Sequence, residues 1–185
     1  MLELFPADAR RAVELAGAAH QPAGLRAAAA RWAGVFAGKD VVARHLADLD
    51  LRVRREAAER ALRLLARDGA ASIAPLVLSL GREPDARLRH AAAAALSGFV
   101  RGASTARVKA LCPTSSGERF VLGFGLVRAA PRGALCREAL DLALEALADS
   151  APAEDVTAGA LRLVAIVSTS VGPDLAKRRR SIGSG

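Results

Sequence analysis

Slid along itself by 34 residues, this sequence meets its own pattern. Residues 50–65 read DLRVRREAAERALRLL, and residues 85–99 read DARLRHAAAAALSGF. The slide places Arg55 on Arg89, Ala57 on Ala91, Ala58 on Ala92, Ala61 on Ala95 and Leu62 on Leu96. It also places Leu65 on Phe99 and Arg67 on Arg101. A fainter copy lies upstream, where Leu25, Arg26, Ala29 and Phe36 correspond to Leu88, Arg89, Ala92 and Phe99. A unit of this size covers its apolar face only by stacking on neighbouring units. The chain is thereby restricted to an array of one element type.

That element is a helix. In the first copy Leu51, Ala58, Ala61, Leu62 and Leu65 share one face at a period of about 3.6 residues. Arg52, Glu56, Glu59, Arg60, Arg63 and Arg67 take the other face. Glu56 with Arg60, and Glu59 with Arg63, stand in the favourable order four residues apart, each pair contributing about 0.2–0.5 kcal/mol in an isolated helix. Asp50 reads as the N-cap and Gly69 as the residue that ends the helix. Composition agrees, since the chain holds 44 Ala and 24 Arg, both strong helix formers. Aromatic residues make up only 3% and Tyr is absent, which argues against a sandwich or barrel.

Between the two copies, Ala70–Gly81 reads as a shorter apolar helix with Pro75 in its first turn, where a missing N–H is harmless. Val41 to Asp48 is its counterpart ahead of the first copy. The unit is therefore a long helix, a tight turn, a short apolar helix and an acidic turn. Ile73-Ala74-Pro75-Leu76-Val77-Leu78-Ser79-Leu80, then Asp85, Leu88-Arg89, Ala92, Ala95-Leu96 and Phe99, resemble a HEAT repeat. Leu46, Asp48, Asp50, Val53-Arg54, Ala58 and Ala61-Leu62 resemble a second copy, with Arg54 or Arg55 as the counterpart of Arg89. The resemblance is strongest over residues 41–100, and it implies a helical repeat scaffold.

Downstream the landmarks fade but the helices continue. Residues 113–117 form a turn, with Ser116 as cap of a helix carrying Phe120, Val121, Phe124 and Val127. Residues 131–133 are the next break. Leu135, Ala139, Leu142, Ala146 and Leu147 mark another helix, and Val156, Ala160, Leu163, Val164 and Val167 a further one that Gly172-Pro173 ends. Asp174 to Arg180 is expected to form a last short turn. Short turns make consecutive helices pack on each other. The expectation is an all-α protein, an α-α superhelix: a right-handed solenoid of HEAT-like hairpins with about nine or ten helices. It forms a single domain over residues 1–180, atypical over 111–175, followed by a basic tail at 176–185.

Few features suggest chemistry. Cys112 and Cys136 form no C-x-x-C pair and read as two free thiols of a reducing compartment. The first eight residues lack the basic and apolar regions of a signal peptide. Leu161 to Val171 contains Arg162 and is too short for a membrane span. A cytoplasmic protein is expected, and the preference for Arg over Lys suits the codon bias of a GC-rich bacterial genome. His20, His45 and His90 fall in no H-E-x-x-H or other catalytic motif, and His45 and His90 are read as facing solvent or packing at a cap. Gly123 and Gly125 sit in a helical pattern and read as small residues that let helices approach. The expectation is no enzyme, no metal and no cofactor.

Charge says more. The net charge is +8, and residues 41–110 carry 13 basic against 7 acidic residues. The candidate partner-binding residues are Arg52, Arg55, Arg60, Arg63, Arg67 and Arg87, an anion-facing ridge. Arg54 and Arg89 are read instead as structural residues of the repeat, pairing with the turn acids Asp50 and Asp85. Trp32 occupies the position of Ala95 and reads as core. With no other stacking platform, catalysis of the kind found in HEAT-like DNA glycosylases finds no residues here. Lys177-Arg178-Arg179-Arg180 reads as a solvated end. The function expected is a non-catalytic scaffold or adaptor presenting its Arg-rich ridge to an acidic protein partner. The alternative is a nucleic-acid-binding protein that uses the same ridge on phosphates.

Overall fold

The computed structural model describes residues 6–36, 38–65, 70–130 and 134–182. Gly69, Arg67 and the break at residues 131–133 lie outside them, as do the side chains of Arg63 and of the basic tail. The described residues form ten α-helices and no strand. These are α1 (Pro6–Ala16), α2 (Ala23–Phe36), α3 (Lys39–Leu46), α4 (Leu51–Leu65) and α5 (Ala74–Ser79). They continue with α6 (Ala86–Gly102), α7 (Thr105–Lys109), α8 (Ser116–Ala129), α9 (Ala134–Leu147) and α10 (Glu154–Ile182). Among the described residues no helix is long and apolar enough to cross a membrane.

The long helices α2, α4, α6 and α8 pack side by side in that order, and the short α3, α5 and α7 carry the chain back between them. One apolar cluster runs through the row, from Ala29, Ala30 and Ala33 through Val53, Ala57 and Ala61 to Leu88, Ala92 and Leu96, and on to Phe120 and Leu126. Alanine at so many contact positions admits close helix axes. Beyond α8 the packing changes. Helices α8, α9 and α10 all touch one another, and their seam holds Ala139, Ala143, Val156, Ala160 and Leu163.

The caps follow the sequence chemistry. Asp50 Oδ1 accepts from the Arg52 amide at 2.8 Å, and Asp85 Oδ1 accepts from the Leu88 amide at 2.7 Å. These bonds satisfy donors that have no partner inside the first helical turn. At α8 the cap is Ser115, one residue before the Ser116 that the sequence suggested, because Glu118 then stands at the third helical position and closes a reciprocal capping box. Helix α10 runs unbroken through Gly172-Pro173, contrary to the expected stop and short final turn. Proline removes one N–H from the ladder, while Leu, Ala, Lys and Arg after it all favour helix.

Three further expectations are corrected. Trp32 is 53% exposed, not core. Its counterpart Ala95 is buried because α6 lies between α4 and α8, whereas α2 ends the row and keeps one flank open. His45 is buried rather than solvent-facing. The repeat spacing is 35 residues, not 34: Val53, Ala57, Ala58, Ala61 and Leu65 are buried, and so are Leu88, Ala92, Ala93, Leu96 and Val100.

Candidate functional site

The first turns of α2, α4, α6, α8 and α10 meet along one edge, joined by side chains that reach from one turn to the next. Arg26 donates from Nε and Nη2 to Asp48 at 2.8 Å each, and from Nη1 to the Gln21 carbonyl. Arg54 donates from Nη1 to the carbonyls of Asp48 and Leu49, at 2.7 and 2.9 Å, and from Nη2 to Glu83 at 2.7 Å. Arg89 donates from Nη1 to the Glu83 carbonyl and grips Asp155 through Nε and Nη2. Each arginine thus ties the turn before its own helix to an acid of a later one. Arg54, not Arg55, is the counterpart of Arg89, since each bonds the carbonyl six residues before it.

The two structural arginines therefore do not pair with Asp50 and Asp85. Those acids cap α4 and α6, and a carboxylate committed to its own helix N-terminus is poorly placed for the arginine one turn further on. Glu83 and Asp155 take that role. Asp85 also receives Arg55, a contact that holds its carboxyl below the ordinary range, with the Leu88 amide adding to the effect against desolvation. Asp48 is lowered in the same way, chiefly by Arg26.

A related contact joins the turn before α6 to α8. Arg82 Nε donates to Glu118 at 2.8 Å and its Nη2 to the Thr114 hydroxyl at 2.9 Å. Glu118 is 2% exposed. Burial pushes its carboxyl up, but the bonds from Thr114, Arg82 and Ser115 outweigh that and hold it below the usual carboxylate range.

The expected ridge divides accordingly. Arg52 and Arg87 are exposed, stand 35 residues apart at the second position of α4 and of α6, and have no ion pair among the described residues. Arg55 is bound to Asp85. Arg60 is half-buried on α4, its Nε without a hydrogen-bond partner. The Arg63 side chain and Arg67 lie outside the described residues. The signal that would have separated Arg52 and Arg87 from the rest was the recurrence of Asp-x-Arg-x-Arg at both turns.

At the other end of the edge His45 lines a recess of about 380 Å³ together with Gly17, Ala19, Arg26, Arg44, Ala47, Asp48 and Leu49. Its Nδ1 is buried without a hydrogen-bond partner. Desolvation lowers the His45 pKa from the ordinary 6.5; contacts with the Gly17 backbone and Asp48 oppose that, and Arg44 and Arg26 reinforce it. The folded chain therefore holds His45 neutral where the unfolded chain already binds a proton. Stability from this group is complete above pH 6.5 and is lost as pH falls from there through the lower folded value. The melting temperature is expected to be level from pH 8 to 7 and to drop as the pH falls below 6.5. A His45→Gln variant loses that drop, which parallel thermal melts would measure.

Cys136 is buried, its thiol pushed up by desolvation, and Cys112 is exposed; both are unpaired. Gly125 faces Ala93 and Leu96 of α6, while Gly123 faces α9 and α10, so the two glycines serve opposite helix contacts. Among the described residues no group of three or more His, Cys, Asp or Glu is placed to hold a metal ion. Compared with known proteins, the chain matches no family model, no curated protein and no solved structure.

Proposed function

We propose that this chain is a HEAT-like right-handed solenoid that serves as a non-catalytic interaction scaffold, docking an acidic protein segment along its edge of helix N-termini. The observation that carries the reading is the repetition of Arg52 and Arg87 at the same position of neighbouring helices. Arg26, Arg54, Arg55, Arg82 and Arg89 on that edge are each engaged with an acid of their own chain. Two exposed cations at adjacent helix starts, where the backbone dipoles also favour negative charge, match spaced carboxylates on a partner. The row of α2, α4, α6 and α8 supports the solenoid, because stacked hairpins produce extended surface. The unpaired cysteines support a reducing, cytoplasmic setting.

The test compares cross-linked partners of the wild type with those of the Arg52→Glu, Arg87→Glu double variant, isolated from cell extract. Reversing both charges is expected to weaken capture about tenfold, mainly through slower association. An identical partner set at unchanged yield would overturn the reading. Retardation of duplex DNA at low salt, falling with a slope near about −0.9 per phosphate neutralised and lost in the double variant, would favour nucleic acid instead.

A further inference from the structure

Helix α2 carries two charged side chains, and both are spent within its own chain. Arg26 turns into Asp48, and Arg31 bonds Glu56 through Nε and Nη2 at 3.2 and 2.8 Å. One face, Ala29, Ala30 and Ala33, is buried. The opposite face is also apolar, with Leu25, Trp32, Val35 and Phe36 each 40–53% exposed. The Trp32 and Phe36 rings pack on each other with centroids 5.9 Å apart. A helix that is apolar all round is a helix with a covering on both sides. Gly24 and Ala28 lie on this same face and are exposed, and a Cβ at Gly24 would meet nothing within 4 Å.

We infer that a second copy of this chain covers the stripe, its α2 lying antiparallel against the first about a two-fold axis near residue 30. The order of side chains fits that arrangement. An antiparallel pair centred there sets Gly24 opposite Phe36 of the other copy, Leu25 opposite Val35 and Ala28 opposite Trp32, so that small meets large in two of the three pairings. Such a patch is self-complementary, which is what a two-fold interface requires. Charge selects the same occupant. Two chains of net charge +8 repel over most approaches. Both charges of α2 are paired within the chain, so the helix itself sets no free charge against its copy, and an acidic partner gains nothing from it. The stripe spans a few hundred Å², less than the ~800 Å² per partner of a lasting complex, so the dimer is weak and exchanges quickly.

Trp32 is the chain's one tryptophan, so its emission reports on this face alone. Sedimentation equilibrium and emission spectra of the full chain, from about 1 to 500 µM, are expected to show dimer formation and a blue shift with the same midpoint. Ala28→Glu, at an exposed site that leaves the fold intact by circular dichroism, is expected to raise the dissociation constant at least about tenfold. Leu161→Glu, exposed on α10, leaves it unchanged. A monomer at every concentration overturns the inference, whether its emission is solvent-exposed or already shifted by another part of the same chain. So does a dimer that survives Ala28→Glu, or one that Leu161→Glu abolishes.

Discussion

Gly117→Ala is expected to lower stability by about 2–3 kcal/mol, the upper part of the range for overpacking. For a chain of this length that moves the melting temperature down by roughly 5–10 °C. The cause is backbone against backbone. A Cβ on Gly117 would fall on the Gly81 carbonyl oxygen, and one on Gly81 would lie 2.6 Å from the Glu118 Cα and N. No rotamer relieves either contact, so the start of α8 must withdraw from the 3-10 turn Leu80–Arg82. That withdrawal stretches the Arg82–Glu118 bond and disturbs a buried carboxylate whose hydrogen bonds outweigh its desolvation. Gly102→Ala is the control, since nothing lies within 4 Å of its Cβ. There the substitution should be neutral or stabilise by up to about 1 kcal/mol, through the entropy that glycine loses in a helix. Equal losses in the two variants, measured by urea melts, would remove the close-approach argument.

Much of the fold was legible because helix periodicity and capping are local. The apolar positions of α4, α8, α9 and the first part of α10, and the caps Asp50 and Asp85, are all written within one or two turns of sequence. The register was not. Ala91 to Ala95 is a run of identical residues, so a slide of 34 matches Ala57, Ala58 and Ala61 to alanine and hides the true offset of 35, which matches only the first two. The polar turns decide it, with Asp50 on Asp85, Arg52 on Arg87 and Arg54 on Arg89 at 35. Exposure of Trp32 was illegible for a different reason: burial depends on how many neighbours a helix has, and no residue within α2 encodes its place at the end of a row. Burial of His45 likewise depends on the distant Gly17, whose missing Cβ admits the imidazole. The partner of Arg89 stands 66 residues away in sequence and leaves no local pattern. The candidate edge was thus half visible. Its cations could be counted, but which of them were already spoken for depended on contacts between turns.

Loss of that 66-residue contact is expected to be the most damaging single change among the arginines. The Arg89 side chain is 4% exposed and closes on Asp155 with two parallel bonds while capping the Glu83 carbonyl. Arg89→Ala strands a partly buried carboxylate and a carbonyl together, and removing one member of a buried pair typically costs about 3–5 kcal/mol. Arg89→Lys keeps the charge but not the planar fork, so it recovers only part of the loss. Asp155→Asn in the Arg89→Ala background relieves the stranded charge, and the double variant should be more stable than Arg89→Ala alone. Arg54→Ala is the graded comparison. Its pair with Glu83 is more open, at 15% and 27% exposure, so the smaller penalty belongs there. Urea melts of the five chains test the order. If Arg54→Ala proves as costly as Arg89→Ala, or if Asp155→Asn gives no rescue, the pair between α6 and α10 is not what fastens α10 to the row of α2, α4, α6 and α8. The seam of Val156, Ala160 and Leu163 against α8 and α9 would then hold α10 by apolar contact alone.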